Sequence, residues 1–92
     1  MRGSALPMLV FFTCATSGPA RRMDSLLAHV ALKERERLRV RHVDVADHTR
    51  LAREFGVEQV PCLVLVVERK IAGRIDGRAN MTQINLLLEQ LA

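Results

Sequence analysis

The residues of this sequence best suited to chemistry are two cysteines and one serine. Cys14 precedes Ser17 by three residues, and Cys62 follows directly after Pro61. A thiol can form a reversible disulfide, whereas a serine hydroxyl needs a neighbouring base before it can attack a substrate. His29 lies about three helical turns beyond Ser17, too far to be that base. No Cys/His cluster has metal-ligand spacing and no glycine-rich phosphate loop is present, so we expect no metal and no cofactor.

Ser17 lies at a predicted junction between a strand and a helix. Residues 8–12 are apolar and of strand composition, and apolar residues then recur at spacings of three and four from Met23 onward. Ser17 can cap this helix, and Pro19 fits its first turn, where a missing N–H is tolerated. The sequence therefore predicts that Ser17 occupies a helix N-terminus, a position that would lower the pKa of a thiol.

The length of 92 residues and the 49% share of hydrophobic residues predict one small domain over residues 1–92. No apolar run reaches the roughly 18 residues of a membrane span, and the first seven residues do not form a signal peptide. We expect a cytoplasmic monomer. The net charge is +4, but the arginines are scattered and there is no Trp or Tyr for base stacking. A solvated basic surface is therefore the better interpretation, and nucleic acid is not the expected partner.

The predicted elements alternate in the order βαβαββα. Strands are expected near residues 7–13, 38–45, 62–67 and 71–76, with a turn at 68–70. Helices are expected from Pro19 to about residue 35, from Asp47 or the residue before it to Phe55 with Gly56 as C-cap, and after a capping box of Asn80 and Gln83. Right-handed crossovers then give a four-stranded mixed sheet of order 2-1-3-4. The first and third helices should cover one face, and the second helix the other.

This pattern resembles the thioredoxin family, whose active site reads Trp-Cys-Gly-Pro-Cys. The corresponding residues here are Thr16-Ser17-Gly18-Pro19-Ala20, so Gly-Pro remains while both cysteines and the tryptophan are replaced. The resemblance covers nearly the whole chain, and it also rests on Val43-Asp44-Val45, on Gly56-Val57-x-x-Val60-Pro61-x-Leu63 and on Gly77. It implies a thioredoxin-like α/β fold. Because a hydroxyl and a methyl group cannot exchange disulfides, ordinary disulfide-reductase activity is predicted to be absent.

The resemblance also implies a peptide-binding groove. Thioredoxins carry a cis-proline opposite the active-site loop, so the Val60–Pro61 bond is predicted to be cis, with an extended peptide adding to the backbone of Val60. The expected groove residues are Thr16, Ser17, Gly18, Pro19, Val60 and Pro61. The alternative is that both prolines only shape the fold. The family's buried acid corresponds to Phe11 here, and its lysine partner to His42.

Three interpretations of the two cysteines remain open. Cys14 and Cys62 lie at adjacent ends of neighbouring antiparallel strands in the predicted sheet, so a reversible disulfide between them is conceivable. Alternatively, both are small buried residues. A shifted register would make Cys14-x-x-Ser17 a monothiol site like that of some glutaredoxins, with a helix beginning near Ala15.

The sequence thus supports two hypotheses. The favoured one is a redox-inactive thioredoxin-like module that binds a protein or peptide in the groove beside Pro61. The other is an atypical thiol–disulfide oxidoreductase or thiol sensor that uses Cys14 and Cys62.

Overall fold

The computed structural model describes residues 6–16 and 18–91, apart from the side chain of Pro19. The elements along the chain are β1 (Met8–Thr13), α1 (Gly18–Arg22), α2 (Asp24–Lys33), β2 (Arg39–Asp44), α3 (Thr49–Glu54), β3 (Cys62–Val67), β4 (Lys70–Asp76), α4 (Met81–Leu88) and a 3₁₀ turn (Glu89–Leu91). No helix among these described residues is long and apolar enough to cross a membrane.

The four strands form one mixed sheet in the order β2-β1-β3-β4. β1 runs parallel to β2, with Phe11 opposite His42, and antiparallel to β3, with Phe12 opposite Cys62. β3 and β4 form an antiparallel hairpin. The thioredoxin-like topology predicted from the sequence is therefore confirmed. β1 lies in the middle of the sheet because its residues are apolar on both faces.

Each face of the sheet has its own apolar core. On one face, strand residues such as Leu9 and Leu63 pack with Leu27 of α2 and Ile84 of α4. On the other face, Ala52 of α3 packs in a second core with these buried residues: Val10, Phe12, Val43, Cys62 and Val64. α1, α2 and α4 lie on one face of the sheet and α3 covers the other, as the sequence predicted.

The first predicted helix is interrupted at Met23, where one continuous helix was expected. The N–H of Met23 bonds to the carbonyl of Ala20 at 3.1 Å, only three residues back, and the next segment, α2, begins at Asp24. This tighter turn separates α1 from α2. Met23 itself is buried, so the interruption occurs where the helix packs on the sheet.

The helix α3 begins two residues later than predicted, at Thr49 instead of Asp47. Asp44 explains the difference, because its carboxylate accepts the N–H of Ala46 at 2.8 Å and its carbonyl accepts the N–H of Asp47. A side chain that bonds to the backbone two residues ahead stabilises a turn in place of a helix.

Gly56 ends α3 as predicted, but it lies one residue beyond the C-cap, which is Phe55. Gly56 has a φ of +68°, and its N–H bonds to the carbonyl of Arg53. The N–H of Val57 bonds to the carbonyl of Ala52 at 2.9 Å, which completes a Schellman motif. Glycine is required here because the left-handed conformation is costly for other residues.

The other end of the chain also follows the sequence pattern. Asn80 caps α4 by accepting the N–H of Gln83, whose side chain accepts the N–H of Asn80 in return, so the predicted capping box is confirmed. The β3–β4 turn is shorter than predicted, because Lys70 already pairs with Val67. Both intervening residues have positive φ, the pattern of a type I′ hairpin turn.

Candidate functional site

The loop after β1 leads directly into α1. α1 begins at Gly18, which is exposed, and within residues 6–16 and 18–91 a Cβ added to Gly18 would meet no atom within 4 Å. Ser17 and the side chain of Pro19 lie outside the described part of the chain. Cys14 is half-buried, and its Sγ lies 3.2 Å from Oγ1 of Thr16. Since Ala15 lies in a turn before α1, the structure contradicts the shifted register, which needs a helix beginning near Ala15.

The second part of the site is the entrance to β3. The Val60–Pro61 peptide bond is cis. Pro61 is buried, and its carbonyl accepts the N–H of Gly77 at 2.9 Å, which ties the start of β3 to the end of β4. Val60 is half-buried and packs against the α3-side core. Among the described residues, no backbone hydrogen bond outside the helices and strands involves Val60.

The sequence analysis expected Cys14 and Cys62 at adjacent ends of neighbouring strands, and the structure shows that they are not direct cross-strand partners. Cys62 lies opposite Phe12, and Cys14 follows Phe12 by two residues, just past the end of β1. Diagonal neighbours in an antiparallel pair are separated by about 7–8 Å, beyond the Cα–Cα range of an unstrained disulfide. The two thiols are not joined in the structure. A register offset of two residues therefore works against a bond between them.

Cys62 belongs to a polar network at the end of the hairpin. Its side chain is fully buried, and its thiol donates to Oδ1 of Asp76 at 3.3 Å. Asp76 lies directly opposite Cys62 in the β3–β4 pair. Nη2 of Arg74 donates to the same carboxylate oxygen at 2.9 Å and lies 3.5 Å from the sulfur of Cys62.

The network keeps the Cys62 thiol protonated. Burial, first, and the hydrogen bond to the carboxylate of Asp76, second, raise the pKa of Cys62, and the nearby Arg74 opposes them; together these effects bring the pKa to about 11. The hydrogen bond from Arg74 holds the pKa of Asp76 below its ordinary value, with Cys62 as a second donor. A thiol with a pKa near 11 is almost entirely un-ionised at neutral pH, and only the thiolate is an effective nucleophile.

Sequence reasoning missed Arg74 and Asp76. One signal was available, because two opposite charges separated by one residue lie on the same face of a strand. That face is the apolar one packed against α3, where Val64 is the partner of Arg74. Charges on a mostly apolar strand face require partners.

The positions that correspond to the family's buried acid and its lysine lie side by side. Phe11 is fully buried and pairs with His42, and their rings meet edge-on with centroids 5.3 Å apart. Nε2 of His42 also lies 3.6 Å from the carboxylate of Asp24 on the protein surface. Phe11 has no titratable group, so it cannot take the proton-transfer role of the acid to which the resemblance matches it.

Metal chemistry finds no support among the described residues. Within residues 6–16 and 18–91, no group of three or more His, Cys, Asp or Glu side chains is placed to hold a metal ion.

The fold and site together are those of a thioredoxin-fold protein, and comparison with known proteins gives the family. The family model described as thioredoxin matches residues 2–90, and the chain belongs to the thioredoxin family. A thioredoxin-like protein of Synechocystis sp. is 28% identical over 91 residues, which cover 99% of this chain and 84% of the relative. Mitochondrial thioredoxin of Bos taurus is 27% identical over 88 residues. That match covers 96% of this chain but only 53% of the bovine protein.

Similarity extends to solved structures. A structure described as that of a malarial protein superposes with a TM-score of 0.84, covering 94% of this chain and 97% of the other. Sequence identity in that match is 16%, so it supports the fold alone.

Proposed function

We propose that this protein is a thioredoxin-family module that binds an extended peptide or a protein segment in the groove beside Pro61, without disulfide exchange. The observation that carries this proposal is the lack of partners for the backbone of Val60. Val60 lies two residues before β3, and among the described residues its N–H and carbonyl take part in no backbone hydrogen bond of the turns and loops. Extended peptides bind such positions by adding a short strand through main-chain hydrogen bonds.

Open space on the other side of the groove supports the same proposal. β1 ends beside the start of β3, so the loop that leads to Gly18 lies at the same end of the sheet as Val60. Thr16 and Gly18 are exposed, and no atom of the described residues lies within 4 Å of a Cβ built at Gly18. A peptide that lies along Val60 therefore has room beside this loop. Thr16, Ser17, Gly18, Pro19, Val60 and Pro61 are the proposed groove residues.

The proposed lack of redox activity follows from the residue types at two positions. In the proposed register, Ser17 and Ala20 correspond to the family's two cysteines, and neither a hydroxyl nor a methyl group can form a disulfide. The remaining thiols are poor substitutes. Cys62 is fully buried with a pKa raised to about 11, and its cross-strand partner is Phe12, not Cys14. An oxidoreductase that uses Cys14 and Cys62 is therefore the less favoured function.

Selection of binding peptides tests the proposal directly. Random 12-residue peptides displayed on phage would be selected against the native protein, and the best binder synthesised. Its addition to isotope-labelled protein should shift the amide resonances of Val60, Cys62 and Gly18 more than those of the outer surface of α2. Strand addition gives new protection of the Val60 amide against hydrogen exchange.

A variant that fills the groove provides the matched comparison. A Cβ at Gly18 meets no described atom within 4 Å, and Gly18→Phe should weaken binding of the synthesised peptide by about tenfold or more, because the ring would occupy space beside the loop. Leu32→Phe is the control, since Leu32 is exposed on the outer surface of α2. Failure to recover any binder, or resonance shifts located away from Val60 and Gly18, would contradict the proposed groove.

A further inference from the structure

Arg74 connects β4 to the end of α3. Its Nη1 donates a 2.6 Å hydrogen bond to the carbonyl of Phe55, and its Nη2 lies 3.3 Å from the carbonyl of Gly56. Phe55 is the C-cap of α3, and Gly56 is the residue that follows it. The last carbonyls of a helix have no partner within the helix, so an arginine placed here satisfies them. Its positive charge also interacts favourably with the negative end of the helix dipole.

The guanidinium is fixed from the opposite side as well. Nη2 of Arg74 donates to Oδ1 of Asp76 at 2.9 Å, and the thiol of Cys62 donates to the same oxygen. Nε of Arg74 is buried and has no acceptor among the described residues. The planar fork of arginine is pre-organised for several simultaneous bonds, which a single ammonium group cannot reproduce.

The segment between these contacts carries the proposed binding backbone. Residues 57–60, which we call the Val60 segment, leave α3 at Gly56 and enter β3 through Pro61. Arg74 holds the first end, and the bond from the N–H of Gly77 to the carbonyl of Pro61 holds the second. Glu58 and Gln59 between these two ends are exposed.

We propose that Arg74 is a positioning residue for the groove: by fixing the end of α3, it sets the place at which the Val60 backbone is presented to a peptide. This inference rests on the proposed function for its binding consequence, although the clamp itself exists in the free protein. Arg74 need not touch the peptide. It acts through the carbonyls of Phe55 and Gly56, and Asp76 keeps it in place.

The clamp is tested first without any peptide. Amide hydrogen exchange would be measured in the native protein, in Arg74→Gln and in Arg53→Gln, a control with the same charge change on an exposed residue of α3. We expect exchange at Gly56 and Val57 to accelerate by roughly tenfold in Arg74→Gln, because a charge-assisted tether has been lost, while Val64 in the middle of β3 changes little. Arg53→Gln should resemble the native protein.

The binding consequence is measured with the synthesised 12-residue peptide from the phage selection. Arg74→Gln should bind it roughly tenfold more weakly, Arg74→Lys should recover part of the affinity, and Arg53→Gln should bind like the native protein. Circular dichroism of each variant verifies the fold. Arg74→Lys retains a cation, so it allows the test to proceed if Arg74→Gln does not fold.

The outcomes separate the two proposals. Unchanged exchange at Gly56 and Val57 in both Arg74 variants would overturn the clamp. Faster exchange combined with native affinity for the peptide would overturn the positioning role while leaving the groove intact. Absence of any peptide binder for the native protein would overturn the proposed function, and the exchange data would still decide whether Arg74 holds the end of α3.

Discussion

The thiol of Cys62 donates a 3.3 Å hydrogen bond to the carboxylate of Asp76, its direct partner across the β3–β4 hairpin. A thiol that donates to a carboxylate is stabilised in its protonated form, and burial acts in the same direction. These two effects raise the pKa of Cys62 to about 11. Burial and this hydrogen bond therefore both oppose formation of the reactive thiolate at Cys62.

Alkylation of Cys62 should therefore be slow and strongly dependent on pH. In native protein at pH 7.5, we expect iodoacetamide to modify Cys62 much more slowly than the half-buried Cys14, since Cys62 is both enclosed and un-ionised. Its rate should climb as pH approaches 11. Peptide mass spectrometry measures both sites, and protein unfolded in urea provides the control in which the two rates converge. Rapid labelling of native Cys62 at pH 7.5 would be incompatible with this description.

Stability should fall in alkali because of the same thiol. The pKa of Cys62 is about 11 in the folded protein and ordinarily 9.0, so below pH 9 both states hold the proton and the full stabilisation is present. Between pH 9 and 11 the thiol ionises in the unfolded protein before it does so in the folded protein. The free energy of unfolding therefore falls by up to about 2–3 kcal/mol as pH rises through this range. Urea unfolding of native protein and of Cys62→Ala at pH 8 and pH 10.5 measures the difference. An equal loss in both proteins would show that Cys62 is not responsible.

The two glycines that flank the groove should respond differently to alanine. Gly56→Ala should cost about 1–2 kcal/mol, because Gly56 has a φ of +68° that an L-residue adopts only with strain. Gly18→Ala should be nearly neutral, since Gly18 is helical and its added Cβ meets open space. Thermal unfolding gives both values, with a fall of several degrees expected for Gly56→Ala alone. The reverse order would argue against the Schellman motif at the end of α3.

Introducing cysteines at positions 17 and 20, which the proposed register matches to the family's two cysteines, should give some disulfide-reductase activity. In Ser17→Cys with Ala20→Cys, a cysteine would precede Gly18 at the beginning of α1, where the helix N-terminus lowers the pKa of a thiol. Insulin reduction with dithiothreitol as electron donor measures the gain, and Ser17→Cys alone is the control that lacks the second thiol. Phe11 in place of the family's acid should keep the activity low. No gain over the native protein would count against the assigned register.

The sequence predicted the features that depend on local chemistry. Asn80 with Gln83 and the glycine at position 56 specify helix ends almost independently of the rest of the molecule, and the order of apolar segments specified the sheet. Features that depend on tertiary contacts were missed. The interruption at Met23 accompanies packing of a buried side chain on the sheet, and the delayed start of α3 comes from a turn around Asp44.

The candidate site was predicted only in part. The proposed groove rests on the Gly18-Pro19 and Val60-Pro61 pairs, which are visible in the sequence. The register of β1 and β3, which places Phe12 and not Cys14 opposite Cys62, is decided by how whole strands align, and one position of uncertainty at a strand end changes the answer. The contact of Arg74 with Phe55 joins residues 19 positions apart, and no local pattern marks it.

The measurement that tests the central claim most directly is peptide binding and disulfide reduction by the same protein with both cysteines removed. Cys14→Ser with Cys62→Ser keeps a donor for Asp76, since a serine hydroxyl can replace the thiol of Cys62. The account predicts that this variant folds, binds the selected 12-residue peptide with native affinity by isothermal titration calorimetry, and matches the native protein in showing no insulin reduction above background. Native disulfide-reductase activity that disappears in the double variant, or binding that disappears with the thiols, would contradict it.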